Sequence, residues 1–193
     1  MNLILASASE RRHELLKRLT SEFNVVVSDF DEDSVTFDGD CEEFVKKLAK
    51  GKALDVAKKI REESVIIGCD TVVFFENKVL GKPRNRNEAF AMLKVLSGNT
   101  HQVYSGVAIY DSRKDSTLEI AVKTDVKFSS ITEAEIEKYI DSGEPMDKAG
   151  AYGIQGLGGV FVEEIHGCYY NVVGLPINKL NFMLQGIGVN LLR

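Results

Sequence analysis

One short stretch of this sequence draws an acid, a hydroxyl and a lysine together. The apolar run Val65 to Gly68 leads into Cys69-Asp70-Thr71-Val72-Val73-Phe74-Phe75, the polar trio Glu76-Asn77-Lys78 follows, and Val79-Leu80-Gly81-Lys82-Pro83 returns. That pattern predicts a β-hairpin whose open end carries Asp70, Thr71 and Lys82. Pairing Phe75 with Val79 would set Val72 near Lys82, so that Asp70 and Lys82 share a face as diagonal neighbours. A shift of one residue would separate them by face. Two further groups have chemical potential. Ser7-Ala8-Ser9 stands between a short apolar strand and a helix, an arrangement that points free backbone N–H groups and the positive end of a helix dipole at an anion. Arg11 and Arg12 fall in the first turn of that helix, where cations oppose the dipole unless something negative is bound; a solvated helix surface accounts for them equally well. Ser28-Asp29-Phe30-Asp31-Glu32-Asp33 places four carboxylates within six residues. They form either a solvated acidic loop or a source of oxygen ligands for a hard divalent cation.

Cations on one side and carboxylates with a lysine on the other are what hydrolysis of a phosphate ester or anhydride needs. Positive groups neutralise the charge that develops on phosphoryl oxygens, and a carboxylate orients or deprotonates the attacking water. Asp70 is the natural base because it ends a buried strand; desolvation there raises a carboxyl pKa, whereas a metal or Lys82 lowers it. As a purely structural residue, Asp70 would be a strand-end acid capping a turn. Other chemistries find little support. His13, His101 and His166 fall on a helix, at a strand start and in a turn, which does not make a metal site. No Ser-His-Asp or Cys-His arrangement is evident, and neither GxxxxGKS/T nor GxGxxG occurs.

The elements that must position these groups follow from periodicity. Leu3–Ala6 predicts a strand and Glu10–Leu19 a helix, with Ser7 and Glu10 fitting a capping box or Ser9 acting as the cap instead. Phe23–Val27 reads as a strand. Cys41–Arg61 reads as a helix interrupted at Gly51, with Lys46, Lys47, Lys50, Lys52, Lys58 and Lys59 between its apolar positions. Nothing in that pattern singles out Lys52. After the hairpin come a helix from Asn85 to Leu96, stopped by Ser97-Gly98-Asn99, and strands over His101–Tyr110 and Leu118–Phe128. Thr132 and Glu135 form a second capping box on a helix running to Ser142. Residues 142–156 lack alternation and read as a polar loop with a function. Strands over Val160–Ile165 and Tyr169–Val173 and a closing helix near Ile177–Leu184 complete an α/β fold on a mixed sheet.

With 193 residues, 44% of them hydrophobic, the chain can bury a full core as a single domain over 1–193, with two lobes around a central cleft as a variant of that plan. A net charge of −5 argues against nucleic acid or an anionic membrane as partners. Cys41, Cys69 and Cys168 are odd in number and widely spaced, which points to a reducing compartment. The N-terminal run is too short for a secretory signal, and no apolar stretch approaches the roughly 20 residues of a membrane helix, so the expected location is the cytoplasm.

The chain resembles the Maf family of nucleotide pyrophosphatases along nearly its full length. The resemblance is carried by Leu5-Ala6-Ser7-Ala8-Ser9-Glu10-Arg11-Arg12, Glu32, Lys52-Ala53, Gly68-Cys69-Asp70-Thr71-Val72-Val73, Leu80-Gly81-Lys82-Pro83, Leu96-Ser97-Gly98, Ser142 to Gly156 and Asn171-Val172-Val173-Gly174-Leu175-Pro176. It implies hydrolysis of a nucleoside triphosphate to the monophosphate and pyrophosphate with a divalent metal, Mg or Mn. The implied enzyme is cytoplasmic and homodimeric, with an elongated twisted mixed sheet flanked by helices, similar to inosine-triphosphate pyrophosphatases. By the same resemblance Asp70 is the proton acceptor, Glu32 and Asp70 hold the metal, and Ser7, Arg11, Arg12, Lys52 and Lys82 bind phosphate. Arg12, Thr71 and Gln155 match positions of base selection in the branch that looks like dTTP/UTP pyrophosphatases, and a glutamine can donate and accept as a uracil or thymine edge requires. Two alternatives remain: a non-catalytic nucleotide-binding regulator of cell division, and the same reaction on a modified purine triphosphate. Glu10 departs from the family's usual proline; either residue suits a helix's first turn, but an added carboxylate there opposes phosphate binding.

Overall fold

The apolar stretches become the strands of one seven-stranded mixed sheet in the computed structural model, which describes residues 2–191. In chain order, β1 (Asn2–Leu5) is followed by α1 (Glu10–Lys17), β2 (Asn24–Val25), a 3-10 turn at Glu32–Ser34 and α2 (Cys41–Ala57). Next come β3 (Ser64–Phe75), β4 (Lys78–Leu80), α3 (Arg86–Leu96), β5 (Thr100–Asp111), β6 (Ser116–Phe128) and α4 (Glu133–Asp141). Three 3-10 turns, Glu144–Asp147, Ala149–Ala151 and Leu157–Phe161, lead to β7 (Val162–His166), α5 (Tyr169–Val173) and α6 (Ile177–Gly186). The strand order is β2-β1-β3-β5-β6-β7, with β4 also paired to β3. β1 runs parallel to β2 and β3, while β3–β4 and β6–β7 are antiparallel. β5 and β6 are joined only by residues 112–115, too short for a crossover, so they too are antiparallel. No helix among the described residues is long and apolar enough to cross a membrane.

The chain divides into two compact units. The first holds the residues up to Asp70, Ser105–Val122 and those from Gly174 onward. Its parallel strands are buried on both faces, and Leu3, Ile4, Leu5, Val65, Ile66 and Ile67 are all nearly inaccessible. α2 starts at Asp40, whose carboxylate accepts from the N–H groups of Glu42 and Glu43, and it buries Val45, Leu48, Ala49, Ala53 and Val56 along one stripe. Gly68 and Gly106 allow that stripe to touch the strands: a Cβ at either position would lie 2.1 Å from a helix carbonyl, that of Ala49 or Val45 respectively.

The second unit holds Thr71–Tyr104 and Lys123–Val173. Its core is aromatic: Phe128 packs edge-on against His101 and Tyr152, and Tyr139 packs against Phe161. The expected Thr132–Glu135 box and the expected stop at Gly98 form, and Asn85, expected as the first helical residue, is instead the cap of α3. Asn85 accepts from Glu88 N at the start of α3, Thr132 and Glu135 make a reciprocal capping box on α4, and Gly98 and Gly143 follow their helices with positive φ.

Several expectations require correction. The hairpin pairs Phe75 with Lys78 and Val73 with Leu80, one residue away from the expected register. Its turn has two residues, Glu76 and Asn77, both with positive φ as a type I′ turn requires, instead of three. Continued past Leu80, this register sets Lys82 opposite Thr71, so the shared-face reason for joining Asp70 to Lys82 is lost. The Ser7–Glu10 capping box is absent because α1 begins at Glu10; Ser9 takes the cap position without a side-chain bond. α2 is unbroken at Gly51, where the missing side chain makes room for Phe30, whose ring would lie 2.3 Å from a Cβ there. The strand expected over Phe23–Val27 shrinks to Asn24–Val25, and the one expected from Val160 starts at Val162 after a 3-10 turn. Residues Tyr169–Val173 are helical. A run of that length is too short for periodicity to decide, and the helix lets the buried Asn171 amide donate to Val103 O at 3.0 Å and Thr124 Oγ1 at 2.9 Å.

Candidate active site

In the first unit, three charged side chains from three separate elements meet. Lys52 on α2 places Nζ 2.5 Å from Asp70 Oδ1, on β3, and 2.8 Å from Glu32 Oε1 in the 3-10 turn. Asp70 is 6% exposed, whereas the Glu32 side chain is 57% exposed. Burial works against the Lys52 charge, and so does nearby Arg12. The Asp70 carboxylate and the hydrogen bonds to Asp70 and Glu32 outweigh both, so the Lys52 pKa is raised. The acidic loop reaches this point because α2 holds it down. Asp55 Oδ2 accepts from Ser28 Oγ at 2.9 Å and from Asp29 N at 2.8 Å, while Phe30 fills the space over Gly51. Nothing in the sequence pattern marks Phe30 or Asp55 for this role; the break expected at Gly51 is the only trace of the contact there.

The turn after β1 is tied to the middle of β3 in the same unit, and because β3 runs on to Phe75, Asp70 lies within the strand and does not end it as expected. Arg12 Nη1 donates to Cys69 O at 2.8 Å and to Ser7 Oγ at 3.4 Å, and Arg12 Nε donates to Gly174 O at 2.9 Å. Arg12 therefore fixes the backbone immediately before Asp70. Ser7 is buried, its hydroxyl accepts from Ser9 N at 3.2 Å, and its carbonyl lies 2.6 Å from His13 Nε2. The Gly174 carbonyl also accepts from Cys69 Sγ at 3.2 Å. Gly174, which the sequence offers only as part of the Asn171–Pro176 block, thus anchors both Arg12 and Cys69. Arg11 is half-buried on the same first turn of α1. Thus Ser7, Arg12, Glu32, Lys52 and Asp70 belong to one connected region of the first unit.

The remaining predicted residues lie in the second unit. Thr71 is half-buried on β3, and Lys82 is exposed just beyond β4. Gln155 is exposed in the third position of a turn closed by Gly156 N donating to Gly153 O at 3.3 Å.

Residues 2–187 match the family of Maf-like proteins. This chain belongs to the Maf-like family. A dTTP/UTP pyrophosphatase of Clostridium kluyveri is 63% identical to the Maf-like chain over 192 residues, covering 99% of this chain and 100% of the relative. A dTTP/UTP pyrophosphatase of Clostridium novyi (strain NT) is 61% identical over 191 residues, with coverage of 99% and 100%. Among solved structures, the Staphylococcus aureus Ham1 protein has the same fold, with a TM-score of 0.54 at 15% identity over 97% of this chain and 100% of that one.

The donor chemistry of the Maf-like site suits a hard divalent cation, because Asp70 and Glu32 direct carboxylate oxygens at a common point that Lys52 Nζ now contacts. Among the described residues no cluster of three or more His, Cys, Asp or Glu could hold a metal. Two carboxylates would leave the rest of a divalent cation's coordination to water and to substrate phosphate oxygens.

Proposed function

We propose that this chain hydrolyses nucleoside triphosphates, with dTTP and UTP favoured, to the nucleoside monophosphate and pyrophosphate. The observation that carries the reading is the buried Asp70 carboxylate held on Lys52 at 2.5 Å, within a chain about 60% identical over its whole length to dTTP/UTP pyrophosphatases. Lys52 engages Oδ1 of Asp70, so a proton taken from water goes to Oδ2. The water oxygen bonds to the α-phosphorus, the bond from that phosphorus to the oxygen bridging to the β-phosphate breaks, and pyrophosphate leaves. Ser7, Arg11, Arg12, Lys52 and Lys82 hold phosphate oxygens, and Arg12, Thr71 and Gln155 select the base. For Lys82 the support is the family motif alone, since the hairpin register no longer argues for it. Glu32 and Asp70 would hold Mg or Mn, which when bound neutralises phosphoryl charge.

A cytoplasmic homodimer without nucleic-acid or membrane partners completes the reading. A net charge of −5 and three free cysteines support the compartment and the partner class, and sedimentation would test the dimer. The test of function is a panel of canonical, methylated and deaminated triphosphates, with Mg²⁺, Mn²⁺ or chelator, for the wild type and Gln155→Ala. Highest kcat/KM on dTTP and UTP, with a changed base preference in Gln155→Ala, is expected. Preference for a modified purine would move the substrate, and nucleotide binding without turnover on the whole panel would favour a regulator. An unaltered profile in Gln155→Ala would remove Gln155 as the reader.

A further inference from the structure

The turn that carries Gln155 is clamped from both sides by two side chains, Glu144 within the Ser142–Gly156 block and Tyr139 just before it, to which the resemblance gives no role at the site. Glu144 Oε2 accepts from Leu157 N at 2.8 Å, and Glu144 Oε1 accepts from Gly158 N at 3.1 Å. Tyr139 closes the other side: its hydroxyl donates to Glu144 Oε1 at 2.8 Å and accepts from Gly153 N at 3.1 Å. The four-residue turn, Gly153 to Gly156, is thus tied at its first residue and just beyond its last, with Gln155 exposed between the ties. Tyr139 is itself immobilised, buried on α4 and packed edge-on against Phe161 with ring centroids 5.1 Å apart.

Carboxylate and phenol approach the loop backbone so closely that side chains are excluded there. A Cβ at Gly156 would lie 2.3 Å from Glu144 Oε2, and one at Gly158 would lie 2.5 Å from the Tyr139 hydroxyl. The backbone N–H groups bonded to Glu144 hold its carboxyl below the usual range despite the opposing effect of burial, so the clamp is charged at neutral pH.

We infer that Glu144, acting with Tyr139, is the positioning residue that presets the Gly153–Gly156 turn and through it the base preference. The inference rests on the reading of Gln155 as base selector. A turn held in one conformation presents its amide to the base without an ordering cost at binding, and releasing it should weaken discrimination more than chemistry. Glu144→Ala frees the three donors now bonded to the carboxylate. Glu144→Gln keeps one acceptor oxygen and removes the other, so it should fall between the wild type and Glu144→Ala.

The experiment measures kcat/KM for dTTP and dGTP, together with amide hydrogen exchange at Gly153–Gly158, in Glu144→Ala, Glu144→Gln, Tyr139→Phe, Gln155→Ala and Glu144→Ala/Gln155→Ala. For Glu144→Ala we expect faster exchange across the turn and a dTTP-to-dGTP ratio lowered about tenfold, the scale of one lost hydrogen bond, with kcat on dGTP retained. Tyr139→Phe should move the ratio the same way, and the double variant should discriminate no worse than Gln155→Ala alone. A folded Glu144→Ala with an unchanged ratio overturns the proposal. If Gln155→Ala is silent but Glu144→Ala lowers the ratio, the clamp stands and the reader is another residue of the turn. If Gln155→Ala lowers the ratio and Glu144→Ala does not, the reader stands and the clamp is refuted.

Discussion

Replacing Lys52 with methionine keeps the aliphatic length and removes the charge that joins Asp70 to Glu32. Loss of one partner from a fully buried ion pair costs about 3–5 kcal/mol, because the other charge is left in a poor solvent. Asp70 is close to that limit at 6% exposure. Glu32, with its side chain 57% exposed, is a surface partner whose arm is worth about 0–1 kcal/mol. Relief of the Lys52 desolvation penalty offsets part of the loss. The expected net cost is about 3 kcal/mol at pH 7, a fall in melting temperature of about 6–12 °C for a chain of this size. Asp70→Asn keeps the shape and leaves Lys52 with a solvated partner, so it should cost less, about 1–2 kcal/mol. The double variant should be about 2 kcal/mol more stable than the sum of the singles predicts. The raised Lys52 pKa fixes the pH window. The folded lysine holds its proton more tightly than the unfolded one, so its contribution is full below about pH 10.4 and is lost as pH rises through the folded value. Urea unfolding of all four proteins at pH 7 measures the coupling. Additivity within about 0.5 kcal/mol, or a Lys52→Met variant as stable as the wild type, would refute the claim that this pair is a coupled unit.

Two other perturbations separate the fold from the chemistry. His101 is fully buried, bonded through Nε2 to the Tyr152 hydroxyl at 2.8 Å, and burial pushes its pKa down to about 4. Because the unfolded imidazole takes up its proton first, the stability is complete above about pH 6.5 and should fall by about 2.5 kcal/mol on reaching pH 4.5. Urea titrations at both pH values should show that loss in the wild type, beyond whatever His101→Gln loses; equal losses would contradict it. Gly68→Ala would drive a methyl to 2.1 Å from the Ala49 carbonyl, which only a shift of α2 can relieve, and should cost about 1–3 kcal/mol or prevent folding. A melting temperature unchanged from the wild type would show that the helix does not rest on that strand.

The sequence carried much of the fold and less of the site, for identifiable reasons. Local chemistry was legible wherever one short motif decides the outcome, as at the Ser97-Gly98-Asn99 stop and at the Thr132–Glu135 box. The hairpin was legible as a hairpin, but its register depended on whether Lys78 belonged to the turn or to the strand, and periodicity alone cannot separate those. Lys52 was invisible among the other lysines of α2, because what distinguishes it lies elsewhere in the chain: an acidic loop pinned by Phe30 and Asp55, and a carboxylate midway along β3. Arg12 reads locally as a cation at a helix start, yet its backbone partners are Cys69 and Gly174, 57 and 162 residues away. Such partners become visible only when the strands are assembled. The family motif named both residues without giving the reason for either.

The central claim is that Asp70 activates water for attack at the α-phosphorus. Product analysis on dTTP with Mg²⁺, for the wild type and Asp70→Asn side by side, tests it most directly. The account predicts equal amounts of dTMP and pyrophosphate from the wild type, no orthophosphate, and a rate about 10²–10⁴-fold lower in Asp70→Asn, the usual contribution of a general base. Orthophosphate as the first product, or an Asp70→Asn variant that retains most of its turnover, would contradict it.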